Sequence, residues 1–390
     1  MTAKPGRLDV VDALRGFAIV SIMLVHNLEH FDLSYTVQGL PAWLKSLDAS
    51  IWTTVFFLFA GKSYAIFSLL FGVTFYLQSH ARELRGEDFR VRFAWRMALL
   101  FGFGLVNSMF YEGDILTFYA VMGLVLIPVA RLSDRAVCVI ASILMLQPWE
   151  WLVFIDALRQ PDITLPNPAS WAYFAKNAYL TGDAIGPALA GNLSNGKLAV
   201  INWSWETGRM FQMPSLFMLG MLAGRRSLFV ASPESKRFWI RTLLIASLSF
   251  LPLFFANSEL GSWITGEALR RPLSTILSTW SNLAFMLVLV SGFVLLFQGR
   301  PPRILLPLGR MSLSSYMMQS VVGSSMYYGY GLALYKVTSP SMCLLIGLCL
   351  ALLQAWFSAW WLARHKQGPL EALWHRATWF TPRQSALGRP

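Results

Sequence analysis

Apolar runs about 20 residues long recur along nearly the whole chain, and about 20 such residues are what a helix needs to cross a bilayer. Candidate spans cover 10–30, 58–79, 93–111, 114–131, 135–154, 209–229, 238–256, 274–297, 309–334 and 340–362. A short apolar stretch at 48–57 leads into the second of them. Charged residues make up 13% of the chain and hydrophobic residues 55%, whereas soluble domains carry about 25% charged residues. A soluble chain with so few charges could not cover its surface, and lipid removes that demand. The expected fold is therefore all-α: a polytopic integral membrane protein of about ten transmembrane helices, forming a single domain over 1–390.

The net charge is +12, yet nucleic-acid binding does not follow. The basic residues are not gathered on one domain but fall in short bursts between apolar runs, as the positive-inside rule requires. Arg82, Arg85, Arg225, Arg226, Arg300 and Arg303 lie in connections on one side, with far fewer Lys and Arg on the other. That bias places the N-terminus and the basic tail, 364–390, in the cytoplasm. The long connection 155–208 falls on the outer side. Its prolines, its Asn-Gly turn and Trp171, Trp203 and Trp205 predict interfacial helices, either capping a site or serving as a passive connector. Cys138, Cys343 and Cys349 lie in apolar stretches without metal-ligand spacing and read as inert. No metal is expected. The first run carries Asp12, Arg15 and His26, so it reads as a retained helix rather than a signal peptide.

Ionisable groups within spans are costly and mark function. Arg15 and His26 are about 11 residues apart, three helical turns, so they share a face some 16 Å apart along the axis. Asp12 lies one turn before Arg15 and can pair with it. The plainer reading makes Asp12 and Arg15 snorkelling groups and His26 a packing residue. A second polar knot, Asn107, Glu112, Gly113 and Asp114, falls on the same side as His26, where a carboxylate could orient the imidazole as a base; an ordinary solvated turn would look the same. Lys62 opens the second long helix. Arg310 precedes Ser312, Ser314, Ser315, Tyr316 and Gln319, a polar face suited to substrate contact or to helix packing. No Walker loop, HExxH or GxSxG is present.

The stretch Arg7-Leu8-Asp9-Val10-Val11-Asp12-Ala13-Leu14-Arg15-Gly16 resembles the opening of the YeiB-like bacterial membrane proteins, a domain-of-unknown-function family. Phe67-Ser68-Leu69-Leu70-Phe71-Gly72, Gly113-Asp114-Ile115-Leu116, Leu219-Gly220-Met221-Leu222-Ala223-Gly224-Arg225, Leu308-Gly309-Arg310-Met311-Ser312-Leu313 and Gly368-Pro369-Leu370-Glu371-Ala372-Leu373-Trp374 are similar to its further signatures, in order. That family looks like a branch of the transmembrane acyltransferase superfamily, which includes membrane O-acetyltransferases and the heparan glucosaminide acetyltransferase. The O-acetyltransferase branch pairs Arg with a following His at the spacing of Arg15 and His26. The chain departs from YeiB-like proteins in having His26 where Asn is usual and Asn107 where His is usual.

The resemblance implies a bacterial inner-membrane enzyme that takes an acyl group, acetyl in the first place, from cytoplasmic acyl-CoA to an envelope sugar or lipid on the outer side. In that scheme Arg15, Lys62, Arg310 and Asp12 serve the cosubstrate. His26 acts as base or transient acyl carrier with Asp114 or Glu112 orienting it, and Asn107, Gln319 and Tyr316 contact substrate or pack. Membrane lipid and the acceptor are the expected partners, and a homodimer is left open. Two other readings use the same residues: a transporter or flippase for a small metabolite or lipid, and a non-catalytic scaffold.

Overall fold

The computed structural model describes residues 8–33, 35–160 and 164–379, all-helical and without a strand among them. Lys4 and Arg7, with Arg383 and Arg389 of the expected basic tail and Pro161 of the expected cap, lie outside the described residues. α1 (Asp9–Leu28) is the axis of the bundle, with Val10, Val11, Ala13, Leu14, Ala18 and Ile19 buried along it. α2 (Ala42–Phe59) and α3 (Ser63–Glu83) are separated at Gly61, whose φ of 76° only glycine adopts without strain. α3 runs antiparallel to α1. Its Ser63 Oγ donates to Ser21 Oγ at 2.7 Å, and its Thr74, farther along, bonds to Arg15, farther back.

α4 (Arg90–Phe110) ends in a turn that opens α5 (Leu116–Gly123) and α6 (Leu126–Val129). α7 (Asp134–Met145), started by an N-cap at Ser133, and α8 (Pro148–Arg159) form a pair bent by 44°. The bend falls where Gln147 takes a φ of 59° and Pro148 cannot donate. α9 (Ala169–Phe174), α10 (Ile185–Gly191), a π-turn at Asn192–Gly196 and α11 (Lys197–Glu206) make the expected cap helical. α12 (Arg209–Arg225) crosses α3 where backbones nearly touch: a Cβ on Gly72 would strike the Phe217 carbonyl, and one on Gly220 the Leu69 carbonyl. α13 (Pro233–Trp263) and α14 (Glu267–Phe297) form a long hairpin. α15 (Leu305–Arg310), α16 (Ser312–Tyr327) and α17 (Pro340–Leu362) close the bundle around α1.

Among the described residues five helical stretches are long and apolar enough to cross a membrane: α2 with α3, α4, α13, α14 and α17. Counting the bent α7–α8 pair as one span makes six, fewer than the ten expected. Apolar runs overcount because they also describe helices buried inside a bundle. The run 114–131 divides into α5 and α6, 309–334 divides at Met311 and stops before Gly329, and the runs 10–30 and 209–229, which form α1 and α12, are not among the qualifying stretches either. α13 presents an uninterrupted apolar face outward, with Leu248 74% and Leu251 67% exposed. Such a surface needs a cover, and together these helices suggest a membrane protein.

The tail is more than a basic strand. α18 (Pro369–Thr378) docks onto the bundle through Glu371. Its Oε1 accepts from the Leu313 and Ser314 amides at 2.8 and 3.1 Å and its Oε2 from Ser314 Oγ at 2.5 Å, capping the N-terminus of α16.

Candidate functional site

His26 sits in the last turn of α1, where the apolar stripe of the helix gives way to a cavity of about 560 Å³. Its Nδ1 lies 2.8 Å from Tyr111 Oη and 3.3 Å from Glu29 Oε2. Tyr111 in turn bonds to the Asp32 carboxyl. A consistent arrangement has Nδ1–H donating to Glu29 and to the Tyr111 oxygen, while the Tyr111 hydroxyl donates to Asp32. Nε2 then carries the lone pair, with no hydrogen bond among the described residues. Nδ1 held as donor by a carboxylate is the tautomer a general base requires.

Acidic groups crowd this end. Glu112 is fully buried and accepts from Tyr179 Oη at 2.8 Å; burial pushes its pKa up to about 7, against the opposing Tyr179 hydrogen bond. Burial, then the charges of Glu29 and Glu112, hold Asp32 well above the usual carboxylate range. Arg209 lines the same cavity, stacked 3.8 Å from Trp203 and 4.3 Å from Tyr64. Asp114 is placed differently from expectation. It caps α5 through the Leu116 and Thr117 amides at 3.2 and 3.1 Å, takes Asn107 Nδ2 at 2.9 Å, and pairs with Lys197 Nζ at 3.3 Å. The groups that orient His26 are thus Glu29 and Tyr111, while Asp114 and Asn107 build the turn that carries Tyr111 and Glu112. Burial lowers the Lys197 pKa, and the Asp114 charge opposes that.

Three turns back along α1, Arg15 lines a second cavity of about 200 Å³. Arg15 Nη1 donates to Asp12 Oδ1 at 2.6 Å, the expected pair, and Nη2 bonds to Thr74. Arg310 and Arg96 line the same cavity, Arg96 stacked 4.1 Å from Trp374 of α18. The Arg310 Nε is buried without a hydrogen-bond partner among the described residues. Ile22, Ile115 and Tyr316 belong to the walls of both cavities, so a thin partition separates the guanidinium groups from the imidazole. The Tyr316 hydroxyl accepts from the Ile115 amide at 3.3 Å, fixing two members of that partition together.

Lys62 is not brought to the Arg15 end. Because α3 is antiparallel to α1, its first turn lies toward His26, and Lys62 is buried 5.9 Å from the Phe57 ring and 5.7 Å from the Phe285 ring. Gln319 also stays out of both cavities: its Nε2 donates to Gln354 Oε1 of α17 at 2.7 Å, the packing role. Sequence reasoning passed over Tyr111, Asp32, Arg209 and Arg96. Tyr111 adjoins the acidic turn, a signal within reach. Asp32 follows His26 on the same segment and was within reach too, whereas Arg209 and Arg96 reach the site only through the crossing of helices distant in sequence.

Residues 223–381 match a family described as a protein of unknown function (DUF418). The uncharacterized protein YxaH of Bacillus subtilis (strain 168) is 27% identical over 96% of this chain and 95% of its own length. An uncharacterized 39.9 kDa protein in the amylase 3′ region of Bacillus acidopullulyticus is 29% identical over 96% and 94% of the two chains. The uncharacterized protein YeiB of Escherichia coli (strain K12) is 25% identical over 94% and 95%. No solved structure matches. The full-length relatives and the matched C-terminal region agree with the signatures spread along the sequence: the chain is similar to YxaH and YeiB along nearly its whole length and matches the domain of unknown function over 223–381.

Proposed function

We propose that this protein is a membrane-embedded acyltransferase that carries an acyl group, acetyl in the simplest case, from acyl-CoA at the Arg15 end of α1 to a hydroxyl acceptor at the His26 end. The carrying observation is the pair of cavities sharing Ile22, Ile115 and Tyr316, one lined by guanidinium groups and the other by an oriented imidazole. Arg15, Arg310 and Arg96 would hold the phosphates of the nucleotide, for which planar guanidinium donors are suited. The pantetheine arm would part the partition and present the thioester beyond it. His26 Nε2 takes the proton as the acceptor oxygen bonds to the thioester carbonyl carbon. The carbon–sulfur bond then breaks, CoA leaves as thiolate, and the proton on His26 returns to sulfur. Glu29 stabilises the imidazolium formed in between. The distribution of basic connections supports putting the Arg15 end and both termini on the cytoplasmic side of a bacterial membrane, with the His26 end and the cap facing outward.

Turnover of labelled acetyl-CoA by the purified full chain tests this. His26→Ala is expected to lower kcat by about 10²–10⁴-fold, and Arg15→Gln to raise KM for acetyl-CoA while both variants keep wild-type thermal midpoints. Unchanged turnover in both would end the proposal. A transporter would use the same cavities as alternating vestibules, with the partition as its gate. Substrate counterflow in proteoliposomes lacking CoA would favour that reading instead.

A further inference from the structure

A third cavity, about 380 Å³, adjoins the His26 cavity and shares Ala60, Gly61, Tyr64 and Arg209 with it. Its far wall is α14, which contributes Ser274, Thr275, Ser278, Thr279 and Asn282. These positions recur at helical spacing and lie on one face of a helix otherwise apolar enough to span a membrane. Polar side chains within such a helix normally find a partner or a wet cavity, because hydrocarbon leaves them unsatisfied.

The row divides in two. Ser274 Oγ donates to Asn257 Oδ1 at 3.3 Å and Thr275 Oγ1 to the Glu206 carbonyl at 3.4 Å, so these tie α14 to its surroundings. The Thr279 side chain is different. Thr279 is 3% exposed and lines the cavity, yet its hydroxyl makes no hydrogen bond among the described residues. The side chains of Ser278 and Asn282, on the same wall, make none either. Three neutral groups with donors and acceptors to spare therefore face one space.

Of the two charged groups bordering that space, the carboxylate is held in hydrogen bonds and the guanidinium by ring stacking. Glu206 accepts from the Ala169 amide at 2.6 Å and from Ser170 Oγ at 2.5 Å. Arg209 is stacked on Trp203, whose ring lines the adjoining His26 cavity. A fatty chain here would leave Thr279, Ser278 and Asn282 unpaired. A phosphate would lack a second cation. An uncharged ring bearing several hydroxyls satisfies both the polar row and the neighbouring aromatic plate.

We infer that the α14 cavity binds an uncharged, hydroxyl-rich group, a sugar ring, and delivers it past Tyr64 and Arg209 to the His26 cavity. This rests on the acyltransfer reading for its purpose but not for its test. The same chemistry comes from a free glycan or from the headgroup of a glycolipid.

The experiment measures binding to the full chain in nanodiscs without acyl-CoA, by thermal midpoint and Trp fluorescence. The probes are maltotriose, chitobiose and glucuronate in solution, and monoglucosyl diacylglycerol in the disc. The expected result is stabilisation by at least one neutral sugar probe, not by glucuronate; which arm responds separates the free glycan from the lipid source. Thr279→Val, which keeps volume while removing the hydroxyl, combined with Ser278→Ala, is expected to weaken that binding by about tenfold with little change in the unliganded midpoint. Asn282→Leu alone is expected to weaken it in the same direction. No response to any neutral probe, or an undiminished response in the variants, would overturn the inference. Sugar binding that survives a failure to turn over acetyl-CoA would retain this inference and remove the acyltransfer reading.

Discussion

His26 is held at one nitrogen and open at the other, and that asymmetry is made by three side chains from two elements. Glu29 follows one turn later on the same chain segment, so its contact is local. Tyr111 and Asp32 meet because the end of α4 returns beside the end of α1. Glu112 completes the acidic group, and its burial has a consequence for pH dependence. Its folded pKa, about 7, lies above the ordinary 4.5. The neutral form is therefore the one the fold accommodates. The associated stability is fully present below pH 4.5 and is lost as pH rises to about 7, a loss on the order of 3 kcal/mol for the carboxyl alone. Glu112→Gln should flatten that decline, so the difference in stability between variant and wild type grows across the same window. Chemical denaturation at pH 4 through 8 measures it; parallel curves would contradict the assignment. At this scale the sequence carried the pairing of Asp12 with Arg15 and the exceptional character of His26, because neighbours on one helix are fixed by its period. It did not carry Arg209, whose significance exists only where separate segments converge.

Two elements owe their placement to close fits that composition hides. α3 and α12 cross through Gly72 and Gly220, with no room for a side chain at the contact. Gly220→Val is expected to destabilise the protein by about 3 kcal/mol, whereas Gly102→Ala, in the interior of α4 where a Cβ would meet nothing within 4 Å, should not lower the melting midpoint. Equal midpoints for both would mean the crossing is looser than described. α18 is the second case. A basic tail was expected after 364, yet Glu371 caps α16 and Trp374 stacks on Arg96, giving the guanidinium cavity part of its wall. Glu371→Ala removes the acceptor for two amides and a hydroxyl and should cost about 1–2 kcal/mol. It should also expose the segment after 364 to limited proteolysis, and an uncut tail in that variant would contradict the docking. The length of the apolar runs marked the long helices α4, α13, α14 and α17 well, since each contains an apolar window long enough to span. It overcounted spans at 10–30, 114–131, 209–229 and 309–334, because a helix surrounded by other helices is as apolar as one surrounded by lipid.

For the whole molecule, the account depends on α1 linking two differently charged spaces. At one end Arg15, Arg310 and Arg96 supply cations. At the other His26, Glu29 and Asp32 supply bases, roofed by the helices between 164 and 208. The thin partition of Ile22, Ile115 and Tyr316 makes transfer between them geometrically short. The exposed apolar face of α13 suggests a surrounding bilayer, and the orientation proposed for this arrangement follows from the distribution of basic connections. The most direct test is side-specific labelling. In a background with Cys138, Cys343 and Cys349 replaced, single His26→Cys and Arg310→Cys proteins in intact spheroplasts are treated with a membrane-impermeant maleimide. The account predicts that His26→Cys is labelled from outside, that Arg310→Cys is labelled only after permeabilisation, and that acetyl-CoA protects the latter. Labelling of both positions from the same side would contradict it.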